Sequence, residues 1–217
     1  MGWFSRFTRF GDAHMVYGQE RDNSCGLASI MMVVFKINKL KPGAQALHTE
    51  NAVIKTFTDT LGYAPQVGTN QAGTTGSELV KVLNKLNVGK WEYHVCGDAG
   101  VAGKIIDSVG TDIFSFGSAA IANAIGRGAP IICGTDWDVA GGHWVVVDTV
   151  NNFFGSLYAS VNDPWDADVH ITPIKRGSTV RYIAEKAKTS WDAGGLRHEY
   201  AAKPSGGKMS DVVVKVG

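Results

Sequence analysis

Four residues of this chain have side chains that could work together in nucleophilic chemistry: Cys25 and Gln19 in GQERDNSCGLASIMMVVF, His143 in GGHWVVVDTV, and Asp163 in VNDPW. A cysteine attacks as its thiolate. It therefore needs a base to take its proton, surroundings that favour a negative charge, and a donor to hold the oxyanion that forms on the carbonyl it attacks. Gln19, six residues before Cys25, carries a carboxamide that can donate. The backbone N–H of Cys25 supplies a second donor, His143 is the candidate base, and Asp163 is a carboxylate able to hold its imidazole in the working tautomer. Asn162 is adjacent and could orient the ring instead. Because side chains alternate across a strand, only one of the two can face His143.

The elements that must position these groups are legible around them. Asp22, Asn23 and Ser24 are strong helix N-cap types, and Leu27, Ile30, Met31 and Val34 follow at helical spacing. Cys25 is therefore expected in the first turn, where orphan N–H groups and the positive end of the helix dipole favour an anion. Met32, Val33 and Phe35 are apolar as well, so this helix is expected to be central to the fold. His14–Tyr17 reads as extended. Ala129–Thr135, Trp144–Val150, Ser156–Val161 and Val169–Ile174 read as strands, with Asn151–Gly155 as a turn. A hairpin of the second and third would return Asp163 towards His143.

The rest of the chain reads as scaffold. A helix is expected over Ala44–Leu61, with Leu47, Ile54, Phe57 and Leu61 on one face and Gly62 as its stop. Thr75 and Glu78 form a capping box for a helix carrying Leu79, Leu83 and Leu86. Ser118–Ile125 reads as a short helix ended by Gly126 and Gly128. Trp3, Phe4, Phe7 and Phe10 are expected to pack on the domain as a strand or clasp. A flexible Gly, Ser and Lys segment near 203–210 is expected to lead into an edge strand at Val212–Val214. Helices first and strands afterwards give an α+β architecture with a cleft between the two parts.

The ordered set of Gln19 and Cys25 in GQERDNSCGLAS, then GGHWVVVD, then VNDPW, resembles the papain-like cysteine peptidases of the C39 type, the bacteriocin-processing group and its stand-alone relatives. The likeness runs from Val16 to Trp165. Residues 73–79 are similar to that family's intervening helical element, and residues after about Arg176 have no counterpart. The resemblance implies a papain-like fold in one domain spanning 1–217. It also implies Cys25 as nucleophile, His143 as general base, Asp163 as orienting acid and Gln19 as oxyanion donor, with no cofactor and no metal. The bacteriocin-processing enzymes are usually fused to a membrane transporter, and no stretch here is apolar long enough to span a bilayer. Their double-glycine specificity is therefore not carried over. The Gly194-Gly195 and Gly206-Gly207 pairs read as loop glycines rather than self-processing points.

Composition limits the partners. A 217-residue chain with 44% hydrophobic content can bury a full core, and a net charge of +1 without long charge runs argues against a nucleic-acid or anionic-membrane partner. Three scattered cysteines without a C-x-x-C argue against a disulfide framework. The expected location is the cytoplasm, or outside it by a route that needs no cleaved signal, as papain-like bacterial effectors use. The expected partner is a polypeptide substrate, and the oligomeric state is open. A deamidase or transglutaminase acting on a protein carboxamide would use the same four residues. A binding module that kept the fold would not need them. His94 and Cys96 form an H-x-C pair without a second ligand cluster. His48, His170 and His198 read as surface or satisfied histidines, Cys133 as an inert core residue, and Asp136 and Asp138 as loop acids that could line a subsite for a basic side chain.

Overall fold

A computed structural model describes residues 2–38, 47–113, 128–138, 141–183 and 206–216. Strands β1 (Trp3–Phe7) and β2 (Ala13–Tyr17) form an antiparallel hairpin, so the aromatic N-terminal segment is a strand. Helices α1 (Cys25–Asn38), α2 (Glu50–Leu61) and α3 (Gly76–Lys85) come next, then β3 (Trp91–Val95) and α4 (Gly97–Val109). The remaining strands are β4 (Asp112–Ile113), β5 (Ile131–Trp137), β6 (Gly142–Phe153), β7 (Ser156–Asp163), β8 (Asp168–Ile174), β9 (Arg181–Ile183) and β10 (Gly206–Lys215). The main sheet runs β3-β10-β5-β6-β7-β8, with β4 on β6 and β9 on β10, and every pairing except β4 with β6 is antiparallel. The molecule is α+β.

The sheet separates two apolar cores, and that explains its long hydrophobic runs. Along β6, Trp144 and Val146 join the core of α1, α2 and α3, while Val145 and Val147 join the core over α4. A strand covered on both faces loses the usual alternation of polar and apolar residues. Helix α1 is buried along most of its length, from Cys25 through Val34 and again at Ile37, because its sequence is apolar all round. Among the described residues no helix is long and apolar enough to cross a membrane.

Four expectations are corrected. Helix α2 begins at Glu50, not Ala44. Thr49 is its N-cap, and Leu47 reaches the core from the segment before it; residues 44–46 lie outside the described residues. Residues 206–210, expected within a flexible linker, are the first half of β10. That strand is interior, between β3 and β5, not at an edge. Strand β3 and helix α4 had no expected counterpart: Gly97, Gly100 and Gly103 obscure the helical pattern. The short helix expected at Ser118–Ile125 lies outside the described residues.

Candidate active site

Cys25 is the first residue of α1 and only 6% exposed. The turn before it is pinned by a fully buried acid, Glu50, at the start of α2. One Glu50 oxygen accepts the Glu20 N–H and the Ser24 hydroxyl, and the other meets the Arg21 guanidinium at 2.8 Å. The single Ser24 hydroxyl proton lies between a Glu50 oxygen and the Arg21 carbonyl, each 2.7 Å from Oγ, so the hydroxyl is turned back from the helix whose N-terminus it precedes. Asn23 holds a left-handed backbone (φ 62) and donates through its amide to the carbonyls of Gly68 and Gln71, fixing one wall of a cleft. Gly26 is required by the opposing segment: a Cβ there would lie 2.0 Å from Thr74 Oγ1 and 3.1 Å from Trp144 Cδ1.

His143 enters at the start of β6, opposite Thr135 of β5, and is 3% exposed. Thr135 Oγ1 donates to the His143 carbonyl at 3.1 Å, and the Trp137 indole stacks on the imidazole at 4.8 Å and 21°. The ring's Nε2 lies 2.7 Å from Asp163 Oδ1. Cys25 also acts on the ring electrostatically, and with Nε2 on Asp163 the nitrogen left for a thiol proton is Nδ1. Asp163, fully buried at the end of β7, also accepts the Trp165 N–H on Oδ1 (2.8 Å) and the Tyr182 hydroxyl on Oδ2 (2.9 Å). Asn162 instead acts on Asp148, lowering its pKa together with His14 (2.8 Å) and Lys36 (3.3 Å). Strand alternation thus leaves the two neighbours on different partners, and Asp163 is the one on His143.

The electrostatics follow from this burial. Desolvation pulls the His143 pKa down, but the Asp163 charge and Cys25 outweigh it and raise the pKa to about 10. Burial pushes the Asp163 carboxyl up, while His143, His170 and the Trp165 N–H bring it well below the usual carboxylate range. The carboxylate and the imidazole therefore favour each other's charged form.

Cys25 and His143 both line a cleft of about 360 Å³ that also touches Thr74, Tyr93, Asp136 and Asp211. Gln19 is 4% exposed and lies beside the loop after Asp163: its backbone N–H donates to the Pro164 carbonyl at 2.9 Å. Its side-chain amide donates one bond to the Arg21 carbonyl (3.0 Å), and the second N–H of that group is the one a substrate oxygen could use. Cys25 and His143 share the cleft and Asp163 stands behind His143 at 2.7 Å, whereas Gln19 is not among the residues lining the cleft.

Several contributors were not read from the sequence. Tyr182 and Trp137 are aromatic residues whose polar or stacking role depends on strands meeting in space. Glu50 had a signal, an acid directly after the N-cap Thr49, that the misplaced helix start hid. Of the two readings offered for His170, surface or satisfied, the structure has the second: it is buried and pairs with Asp166 at 2.9 Å, and one ligand atom from each of Asp163, Asp166 and His170 lies within 4.8 Å of the others. With Asp163 engaged by His143 and His170 by Asp166, this cluster is an ion-pair network in its own right. Asp136, expected in a loop, belongs to β5 and lines the cleft, while Asp138 is bound by Arg181 at 2.7 Å. Cys133 is fully buried and burial pushes its thiol far up, and the Cys96 thiol donates to the His94 carbonyl. His198 lies outside the described residues. The sequence matches no protein-family model, and a search of curated proteins also finds no match.

Proposed function

We propose that this protein is a cysteine peptidase of the papain-like, C39-related kind. The observation that carries the reading is His143, hydrogen-bonded to Asp163 at 2.7 Å and lining the same cleft as Cys25, which stands at a helix start. A helix carrying the cysteine, packed on an antiparallel sheet carrying the histidine and the acid, supports the papain-like reading. The Gln19 to Cys25 spacing, with GGHW and NDPW, adds the C39 likeness.

The chemistry follows from the groups. The Cys25 thiol gives its proton to His143, and the sulfur attacks a peptide carbonyl, forming a C–S bond. The carbonyl electron pair moves to oxygen, where the Cys25 N–H and the second Gln19 amide N–H stabilise it. Collapse breaks the C–N bond as the His143 proton passes to the leaving amine. Water then gives a proton to His143 and attacks the thioester, and the proton returns to sulfur as the acid product leaves. Asp163 stays ionised throughout and orients the ring.

The test is limiting iodoacetamide near pH 6, where an ordinary thiol of pKa about 8.5 is almost wholly protonated. Cys25 is expected to label far faster than Cys96 or Cys133, and the difference is expected to vanish in His143→Ala. An unfolded protein substrate should be cut by wild type and left whole by Cys25→Ala. A mass increase of about one dalton in an intact partner, without fragments, would point to a deamidase. Equal labelling of the three cysteines would remove the thiol-enzyme reading altogether.

A further inference from the structure

The two oxygens of Asp163 have separate partners. Oδ1 meets His143 and the Trp165 N–H, and Oδ2 accepts the Tyr182 hydroxyl at 2.9 Å. Tyr182 belongs to β9, which pairs with β10, a strand separated from the β6–β7 hairpin by β5, and its side chain is fully buried in the core over α4. Behind the carboxylate, His170 of β8 pairs with Asp166, within 4.8 Å of Asp163, and the His170 and Tyr182 rings lie 6.0 Å apart. The titratable groups around Asp163 are thus Cys25 from α1, His143 from β6, Asp166 from the β7–β8 turn, Asp168 and His170 from β8, and Tyr182 from β9.

We propose that Tyr182 is a positioning residue for Asp163: its hydroxyl fixes the plane of the carboxylate so that Oδ1 stays on His143, and keeps the carboxylate anionic in acid, with the His170–Asp166 pair as outer support. This rests on the thiol-peptidase reading. A carboxylate held on one oxygen can turn about its terminal torsion, whereas donors on both oxygens fix it. Packing alone does not call for the hydroxyl, because a phenylalanine ring would fill the same core. A buried hydroxyl is unfavourable unless it is hydrogen-bonded, and here its acceptor is the one oxygen of Asp163 that His143 does not use. A hydrogen bond to the charged form of an acid holds its proton affinity down. The buried His170 cation acts in the same sense by its charge.

The experiment is the pH profile of Cys25 alkylation by iodoacetamide, from about pH 3 to pH 8, a range spanning the ordinary carboxylate and imidazole pKa values. Loss of the hydroxyl in Tyr182→Phe is expected to move the acid limb up by about one pH unit, the usual size of one charge-assisted hydrogen bond. His170→Gln should move it the same way by less. Site-specific 3-fluorotyrosine at 182, a stronger donor of nearly the same shape, should move it down, and this arm decides if Tyr182→Phe does not fold. A tyrosine that only packs would lower thermal stability when changed and leave the acid limb in place. Profiles that superimpose, in a protein whose wild-type alkylation depends on His143, overturn the proposal and leave the peptidase reading standing. Absence of His143-dependent alkylation in wild type overturns both.

Discussion

At the residue scale the unequal parts of His143 and Asp163 can be separated. The imidazole provides the proton acceptor and the cation beside sulfur, whereas the carboxylate acts on that imidazole from 2.7 Å away. His143→Ala is therefore expected to suppress Cys25 alkylation near neutral pH more than Asp163→Ala; similar losses in the two variants would mean that the acid does more than position the ring. The pH dependence has a definite sign. Desolvation alone would lower the His143 pKa, and the Asp163 charge and Cys25 carry it up to about 10. The protonated imidazole should thus persist through neutral pH, and activity that needs it should fall only as the pH rises through about 10. Asp163→Asn removes the charge, so the alkaline limb of the peptide-cleavage profile is expected at lower pH. An alkaline limb that stays in place in Asp163→Asn would contradict this account of the imidazole.

At the element scale, what could be read in advance was what depends on local sequence. Helix α1 was visible because cap-type residues precede an apolar run at helical spacing, and α3 because Thr75 and Glu78 form a reciprocal capping box. Strands β5, β6 and β8 are legible from their β-branched residues and β7 from the Asn151–Gly155 turn signal before it, and with them the return of Asp163 towards His143. The first residues of β10, GGKMS, resemble a linker, and only the pairing of the strand with both β3 and β5 makes it interior. The choice between Asn162 and Asp163 depends on strand register, including the irregularity between Val147 and Thr149 opposite β7, which composition does not encode. Tyr182 was invisible for the same reason. The junction of α1 with the Thr74 segment gives a test at this scale. Gly26→Ala forces a Cβ to within 2.0 Å of Thr74 Oγ1, and overpacking of this kind typically costs about 1–3 kcal/mol. Denaturant unfolding should show that loss, with slower Cys25 alkylation as the cleft wall shifts. Gly2→Ala, with nothing within 4 Å of its Cβ position, is the control and should be neutral. If both variants unfold like wild type, the close approach of α1 to this wall is not needed for stability.

At the scale of the whole molecule, buried ionic groups tie separate elements to the sheet. Asp148 of β6 joins His14 of β2 and Lys36 of α1, and Asp163 of β7 joins His143 of β6. Burial pushes the Asp148 carboxyl up, but His14, Lys36 and Asn162 bring it well below the ordinary 3.8, and Asp163 is depressed likewise. A group lowered on folding stabilises above its unfolded value, and the contribution is lost as the pH falls below it. Asp166 is raised, mainly by burial, and works in the opposite sense. Desolvation lowers the His170 pKa, but Asp166 raises it to about 9, while His143 reaches about 10, against an ordinary 6.5 for both. Their contribution is complete below 6.5 and declines as the pH rises through those values, because the folded state then holds protons that the unfolded state has released. The two depressed carboxylates and the two raised imidazoles together place the stability maximum between about pH 4 and pH 6.5. Thermal unfolding followed from pH 3 to pH 10 should give its highest Tm in that window and a steady fall on the alkaline side. In His170→Gln and His143→Gln that alkaline fall should be shallower, since each removes one proton that the native state retains. A Tm that is level or rising between pH 6.5 and pH 9 would show that these buried imidazoles are neutral in the folded protein, and would remove the imidazolium from the resting site with them.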